Sequence, residues 1–224
     1  MLKTMVRFNA LDITDKNILD EYAIITECDL YTAFYKNDFK WNQVRQAILK
    51  SVKNGVALFP TSYYFDTTVK LDRYDFENKI FLFAKSTSLN NINAFSLYSV
   101  KGDVCGSSAI KYVPKEYKAV LDAPVVLNGL ALSEKDAKEL LKRMEKDKNT
   151  ERAIFARFNV SIVYIDALRK SITTSKGDSP SKIQYEQTGK GTSKTSVRMD
   201  ARLDSIQFYA DPEMTQLIFQ YAGS

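Results

Sequence analysis

A chain of 224 residues with no histidine and only two cysteines, Cys28 and Cys105, leaves out Ser-His-Asp and Cys-His hydrolases and the usual histidine-bearing zinc sites. An apolar share of 45% and a mean hydropathy of -0.28 fit a water-soluble globular protein, long enough to bury a core without help from a metal. The net charge of +5 is local: Arg169 to Arg198 holds seven basic residues against Asp178 and Glu186, and the rest of the chain carries 25 of each sign.

The first ten residues lack the apolar core of a signal peptide, and no apolar run approaches the ~20 residues of a membrane span. From Thr14 or Asp15 as cap, Ile18, Leu19, Tyr22 and Ile25 recur at helical spacing and lead through Cys28 towards Phe34 and Tyr35. Asn37 or Asp38 caps a second stretch in which Trp41, Val44, Ile48 and Val52 form one stripe. Asn54-Gly55 and Pro60 stop it. Residues 1–55 are therefore expected to form a helical hairpin.

After Pro60 the period changes to two. Phe65, Thr67, Val69 and Leu71 alternate with polar neighbours, and Ile80 to Phe83 follows a turn at Glu77-Asn78-Lys79. Asn93 to Val100 reads as another strand, residues 101–118 as irregular, and Val125 to Leu127 as a short strand before Asn128-Gly129. Ser133 and Asp136 then have the form of a capping box before a helix with Ala137, Leu140, Leu141 and Met144 on its apolar face. Its mixed charges belong to a solvated side.

Ile154 to Leu168 alternates most clearly, with Ile154, Ala156, Phe158, Val160 and Ile162 on one face. Val197, Met199, Ala201 and Leu203 begin a second long strand, expected to pair antiparallel with the first. The segment 170–196 between them is Ser, Thr, Lys and Gly with little to bury, a basic loop at the end of a hairpin. Asp211-Pro212-Glu213 reads as the start of a short terminal helix. The expectation is α+β: one domain over 1–224, with helices against a largely antiparallel sheet and a long basic hairpin loop.

The search for chemistry is mostly negative. Thr188-Gly189-Lys190-Gly191-Thr192 lacks the glycine that a phosphate loop needs five positions before Gly189, where Gln184 stands. Asn159-Val160-Ser161 matches a glycosylation triplet but falls inside the clearest strand. Asp72, Asp75 and Glu77 around Arg73, and Glu27 beside Asp29, are the carboxylate groups from which an acid–base pair or a divalent-ion site would be built. They are equally ordinary surface charge. No cofactor or metal-ligand set is read. The basic residues Arg169, Lys170, Lys176, Lys182, Lys190, Lys194 and Arg198 are the binding candidates, for an acidic protein partner or for the phosphates of nucleic acid or an anionic surface. Only Tyr185 interleaves them, which gives no stacking platform for single strands. Cys28 and Cys105 would pair in an oxidising compartment and stay separate thiols in a reducing one.

Glu27-Cys28-Asp29-Leu30-Tyr31, the run Phe34 to Trp41, Arg73-Tyr74-Asp75-Phe76-Glu77-Asn78-Lys79 and Tyr209-Ala210-Asp211-Pro212-Glu213 together resemble an uncharacterised family of bacterial exported proteins, a domain of unknown function. The resemblance implies a bacterial, periplasmic or exported protein and supplies no activity. A chain complete as given would instead be cytoplasmic. The expected role is a non-enzymatic protein-interaction or scaffold module of a cell-envelope assembly. A carboxylate- or lysine-dependent enzyme, or binding of nucleic acid or an anionic surface through 170–196, are the alternatives.

Overall fold

The computed structural model describes residues 1–98, 105, 110, 112–114, 116–146, 151–166, 168–173, 182–187 and 196–223. Over these it is α+β, with five α-helices and ten strands. Eight strands form one sheet in the order β3 (Ile92–Tyr98), β4 (Glu116–Val125), β9 (Ser196–Tyr209), β6 (Ala153–Ile165), β1 (Ser62–Asp75), β2 (Ile80–Phe83), β5 (Gly129–Ala131), with β10 (Leu217–Ala222) on β9. The two long strands β6 and β9 are neighbours, as their sequence proximity implied. The chain divides into two compact units: residues 1–61, 95–120 and 163–200, and residues 62–94, 121–162 and 201–224.

In the first unit the N-terminal helical region is divided more finely than the expected hairpin, into α1 (Leu2–Arg7), α2 (Lys16–Thr26), α3 (Cys28–Phe34) and α4 (Asp38–Gly55). The caps are those the sequence indicated. The Asp15 carboxylate accepts from the Asn17 and Ile18 amides, and the Asn37 side chain accepts from the Lys40 amide. The run from Asp15 to Tyr35 breaks because Glu27 leaves helical dihedrals, at φ -136° and ψ 51°. In α4, Trp41, Ile48 and Val52 are buried along one stripe. The basic hairpin adds a feature to the expected loop: β7 (Leu168–Thr173) pairs antiparallel with β8 (Lys182–Gln187) as a two-stranded ribbon. Its Ser/Thr/Lys composition hid this, since the pairing is made by backbone groups.

In the second unit β1 pairs antiparallel with β6 from Ser62↔Ser161 to Lys70↔Ala153. The odd-numbered β1 residues therefore lie with the even-numbered β6 residues, whose Ile154, Ala156, Phe158 and Val160 are fully buried. Ser133 and Asp136 cap α5 (Glu134–Lys146): the Ser133 hydroxyl donates to Asp136 Oδ2 and accepts from the Asp136 amide. Gly129 is required, because a Cβ there would lie 2.1 Å from the Phe81 carbonyl oxygen.

Two expectations are corrected. Residues 116–125, placed partly in an irregular stretch, form β4. Tyr117, Ala119 and Leu121 are its buried alternation, and Val125 is its last residue rather than the start of a short strand. The expected terminal helix is instead the strand β10. The Asp211 carboxylate accepts from the Thr215 amide and hydroxyl and from the Gln216 amide, closing a turn. That turn brings Phe219 opposite Phe208 of β9. Asp-Pro is a turn opener as much as a helix start.

Candidate interaction surface

The helices of the first unit present the most distinctive surface. α3 has no buried residue. Its Tyr31 and Tyr35 rings lie 4.4 Å apart, and both meet the Trp41 ring of α4 edge-on, at 5.5 and 5.4 Å. Trp41 is only 3% exposed, whereas Tyr35 is 45% exposed and Phe39, in the first turn of α4, is 87% exposed. The Trp41 indole N–H donates to Asp20 Oδ1 at 3.0 Å, and Arg45 Nε donates to the same oxygen at 2.6 Å. This carboxylate raises the Arg45 pKa above its ordinary value, chiefly through the hydrogen bond. A buried indole thus fixes the base against which the Tyr31 and Tyr35 rings stand.

The same helices help to line a cleft of about 340 Å³, walled by Tyr22, Glu27, Leu30, Ala47, Ile48 and Phe59 among others, with Lys3 as its cation. Clefts of roughly 300–1,000 Å³ with an apolar lining and a few polar groups are the usual form of a binding site. A second cleft, about 450 Å³, lies between the Asn9–Thr14 loop and Val52 and Lys53 of α4 with Val56 just after it. There the Asp12 carboxylate accepts from the Thr14 hydroxyl and amide, which holds its pKa below the usual carboxylate range.

Two ties hold the segment after β3 to this helical layer. Cys28, the first residue of α3, is bonded to Cys105. Glu21 of α2, 5% exposed, accepts from the Tyr112 and Val113 amides, each at 2.7 Å. The two cysteines the sequence left open are therefore brought together.

The other sequence candidates fare differently. Asp75 accepts from the Glu77 and Asn78 amides and from the Asn78 side chain, so it builds the β1–β2 turn. The Asn78 side chain is the first cause of its lowered pKa. Asp72 accepts from the Arg73 amide. Among the described residues no group of three His, Cys, Asp or Glu side chains is placed to hold a metal. Arg169 and Lys170 lie on β7 and Lys182 on β8. Arg198 on β9 pairs with Asp200 at 3.0 Å. Lys176, Lys190, Lys194 and the glycine-flanked 188–192 segment lie outside the described residues. Sequence reading passed over Tyr35 and Phe39 as site residues. The available signal was Phe39, an aromatic residue off the Trp41–Val52 stripe of its own helix.

The model of the family described as Domain of unknown function (DUF4852) matches residues 14–143, more than half of the chain. The chain belongs to this family. The matched stretch contains α2 to α4, both cysteines and the Arg73–Lys79 run on which the resemblance rested, whereas the Tyr209–Glu213 run lies beyond it. Neither the curated proteins nor the solved structures yield a match. No helix among the described residues is long and apolar enough to cross a membrane.

Proposed function

We propose that the protein is a non-enzymatic interaction module of a bacterial cell-envelope assembly, binding an amphipathic helix of a partner protein on the α3–α4 surface. The observation that carries this reading is the exposure of Tyr35, whose ring stands against the buried Trp41, together with that of Phe39 at the start of α4. Aromatic anchors near a well-packed base dominate the energy of protein interfaces. A cleft whose walls are part apolar and part polar, lined by residues of α3 and α4 among others, suits a helix laid into a groove. Lys3 and Glu27 at that cleft complement a helix that bears both signs of charge. The Cys28–Cys105 bond supports the periplasmic or exported setting, because disulfides persist in oxidising compartments.

The test is site-specific photocrosslinking in the native host, with the reactive group at position 39 and, as control, at Lys50. A discrete adduct at 39, lost on Tyr35→Glu while the melting temperature is kept, is expected. Equal adducts at both positions, or none at 39, would overturn the proposal.

A further inference from the structure

The second unit carries a different surface, on the side of β1, β6, β9 and β10 opposite the buried alternation. Cross-strand register places Tyr64 opposite Asn159, and Gln207 opposite Gln220. Asn159 Nδ2 donates to Ser205 Oγ at 3.0 Å and to Gln207 Oε1 at 3.2 Å, which joins β6 to β9. The Tyr209 hydroxyl donates to the same Gln207 oxygen at 3.0 Å, and Gln207 Nε2 donates to Gln220 Oε1 at 3.4 Å. Tyr64, Asn159, Gln207 and Gln220 thus form one row across four strands, about 14 Å from end to end.

The charges beside this row are paired. Arg157 makes two hydrogen bonds to Asp66, at 2.8 and 2.9 Å, and its guanidinium lies 4.3 Å from the centre of the Tyr64 ring. Arg202 is bonded to Asp204. No phosphate or carboxylate is invited where each cation already has its anion. The row has one large exposed apolar element, the Tyr64 ring, 63% exposed at its end. That is too little for a protein interface core, which needs a cluster of anchors. Among the described residues the Asn159 side-chain oxygen Oδ1 and the Gln220 side-chain nitrogen Nε2 take no protein partner, so a free acceptor and a free donor stand on the row.

We propose that this row binds a neutral oligosaccharide, with Tyr64 stacked on the C–H face of one sugar ring and Asn159, Gln207 and Gln220 bonded to hydroxyls. A hydroxyl both donates and accepts, and side-chain amides offer both functions. Their mutual hydrogen bonds hold them in place before binding, which lowers the ordering cost of capture. This inference rests on a surface separate from the α3–α4 face and stands or falls independently of it.

The experiment is a titration of the full disulfide-bonded chain with cellohexaose, chitohexaose and maltohexaose, reading the side-chain amide signals of Asn159, Gln207 and Gln220 by NMR. At least one sugar should move all three signals. Tyr64→Ala should weaken that binding about tenfold, while Tyr64→Phe, which keeps the ring, should preserve it. Tyr64 is exposed, so both variants should melt with the parent. The proposal is overturned if none of the three sugars moves these amides, or if Tyr64→Ala binds as well as the parent. Movement by heparin alone would also overturn it, since Arg157 would then be acting as a free cation.

Discussion

Removing the covalent tie is the sharpest test of how the first unit is held. Replacing both cysteines, Cys28→Ser with Cys105→Ser, deletes a crosslink between residues 77 apart in sequence. In the chain-entropy model, closing a loop of this size restricts the unfolded ensemble by about 4.5 kcal/mol at 25 °C. The unfolding entropy of a chain of 224 residues is about 0.47 kcal/mol/K, so the loss corresponds to a fall in melting temperature of about 10 °C. Calorimetry of the oxidised parent and the double serine variant, without reductant, measures it. Thiol titration of the denatured parent confirms that the bond was present. Hydrogen exchange at Tyr112 and Val113, whose amides Glu21 holds, should quicken in the variant by local opening. A fall of less than about 2 °C, with thiol titration showing an intact bond in the parent, would refute the reasoning. The unfolded chain would then gain little freedom when the link is cut.

Three further outcomes follow from the same geometry. Glu21→Ala leaves two inward-facing amides without their acceptor and should cost about 3–5 kcal/mol in urea unfolding, while Glu21→Gln, which keeps an oxygen in place, should cost well under half of that. Equal losses would show that the oxygen is not what matters. Trp41→Ala should cost about 3–5 kcal/mol and Phe39→Ala should stay within about 0.5 kcal/mol, because one ring is buried and the other stands in water. A large loss at Phe39 would mean that its ring packs within the fold and is not available to a partner. The carboxylates of Asp12 and Asp75 have folded-state pKa values below their ordinary ones, so each contributes stability that is present above the unfolded value, about 3.9, and is lost as pH falls through the folded value. Urea midpoints should therefore decline below about pH 4, and Asp75→Asn should flatten that decline. An unchanged slope would show that the turn does not select the ionised form.

What could be read in the sequence follows physical rules. Asp15, Asn37 and Ser133 were recognisable because capping is local: a side chain serves amides two or three residues away. The buried faces of α4, β6 and β9 showed in their periods, whereas of the alternation read in β1 only Val69 and Leu71 are buried and Thr67 is exposed. The terminal strand did not, since Asp211-Pro212 opens a helix or a turn equally well and only Phe208, packing against Phe219, decides. The β7–β8 ribbon was hidden because backbone pairing leaves no mark on a run of Ser, Thr and Lys. The surfaces were less legible still. Tyr35 becomes worth testing only when Trp41 is seen against it, and Phe39 only when its ring is seen to stand in water. The amide row exists only through register: Asn159 and Gln207 are 48 residues apart, and nothing local marks them as neighbours.

The pairing of β1 with β6 also governs when the protein can fold. Ser62 meets Ser161 across 99 residues, so the first long strand leaves the ribosome well before its partner exists. At about 5–20 residues per second, that wait is on the order of 5–20 s. Throughout it, the aromatic and β-branched run from Tyr63 to Val69 has an open edge on its β6 side, exposed to other nascent chains. The turn built by Asp75 and Asn78 is available early, so β1 and β2 can form a hairpin first and shield the far end. Newly made protein is thus most vulnerable to aggregation until residues 153–161 have emerged, and slower translation over 76–161 lengthens that exposure.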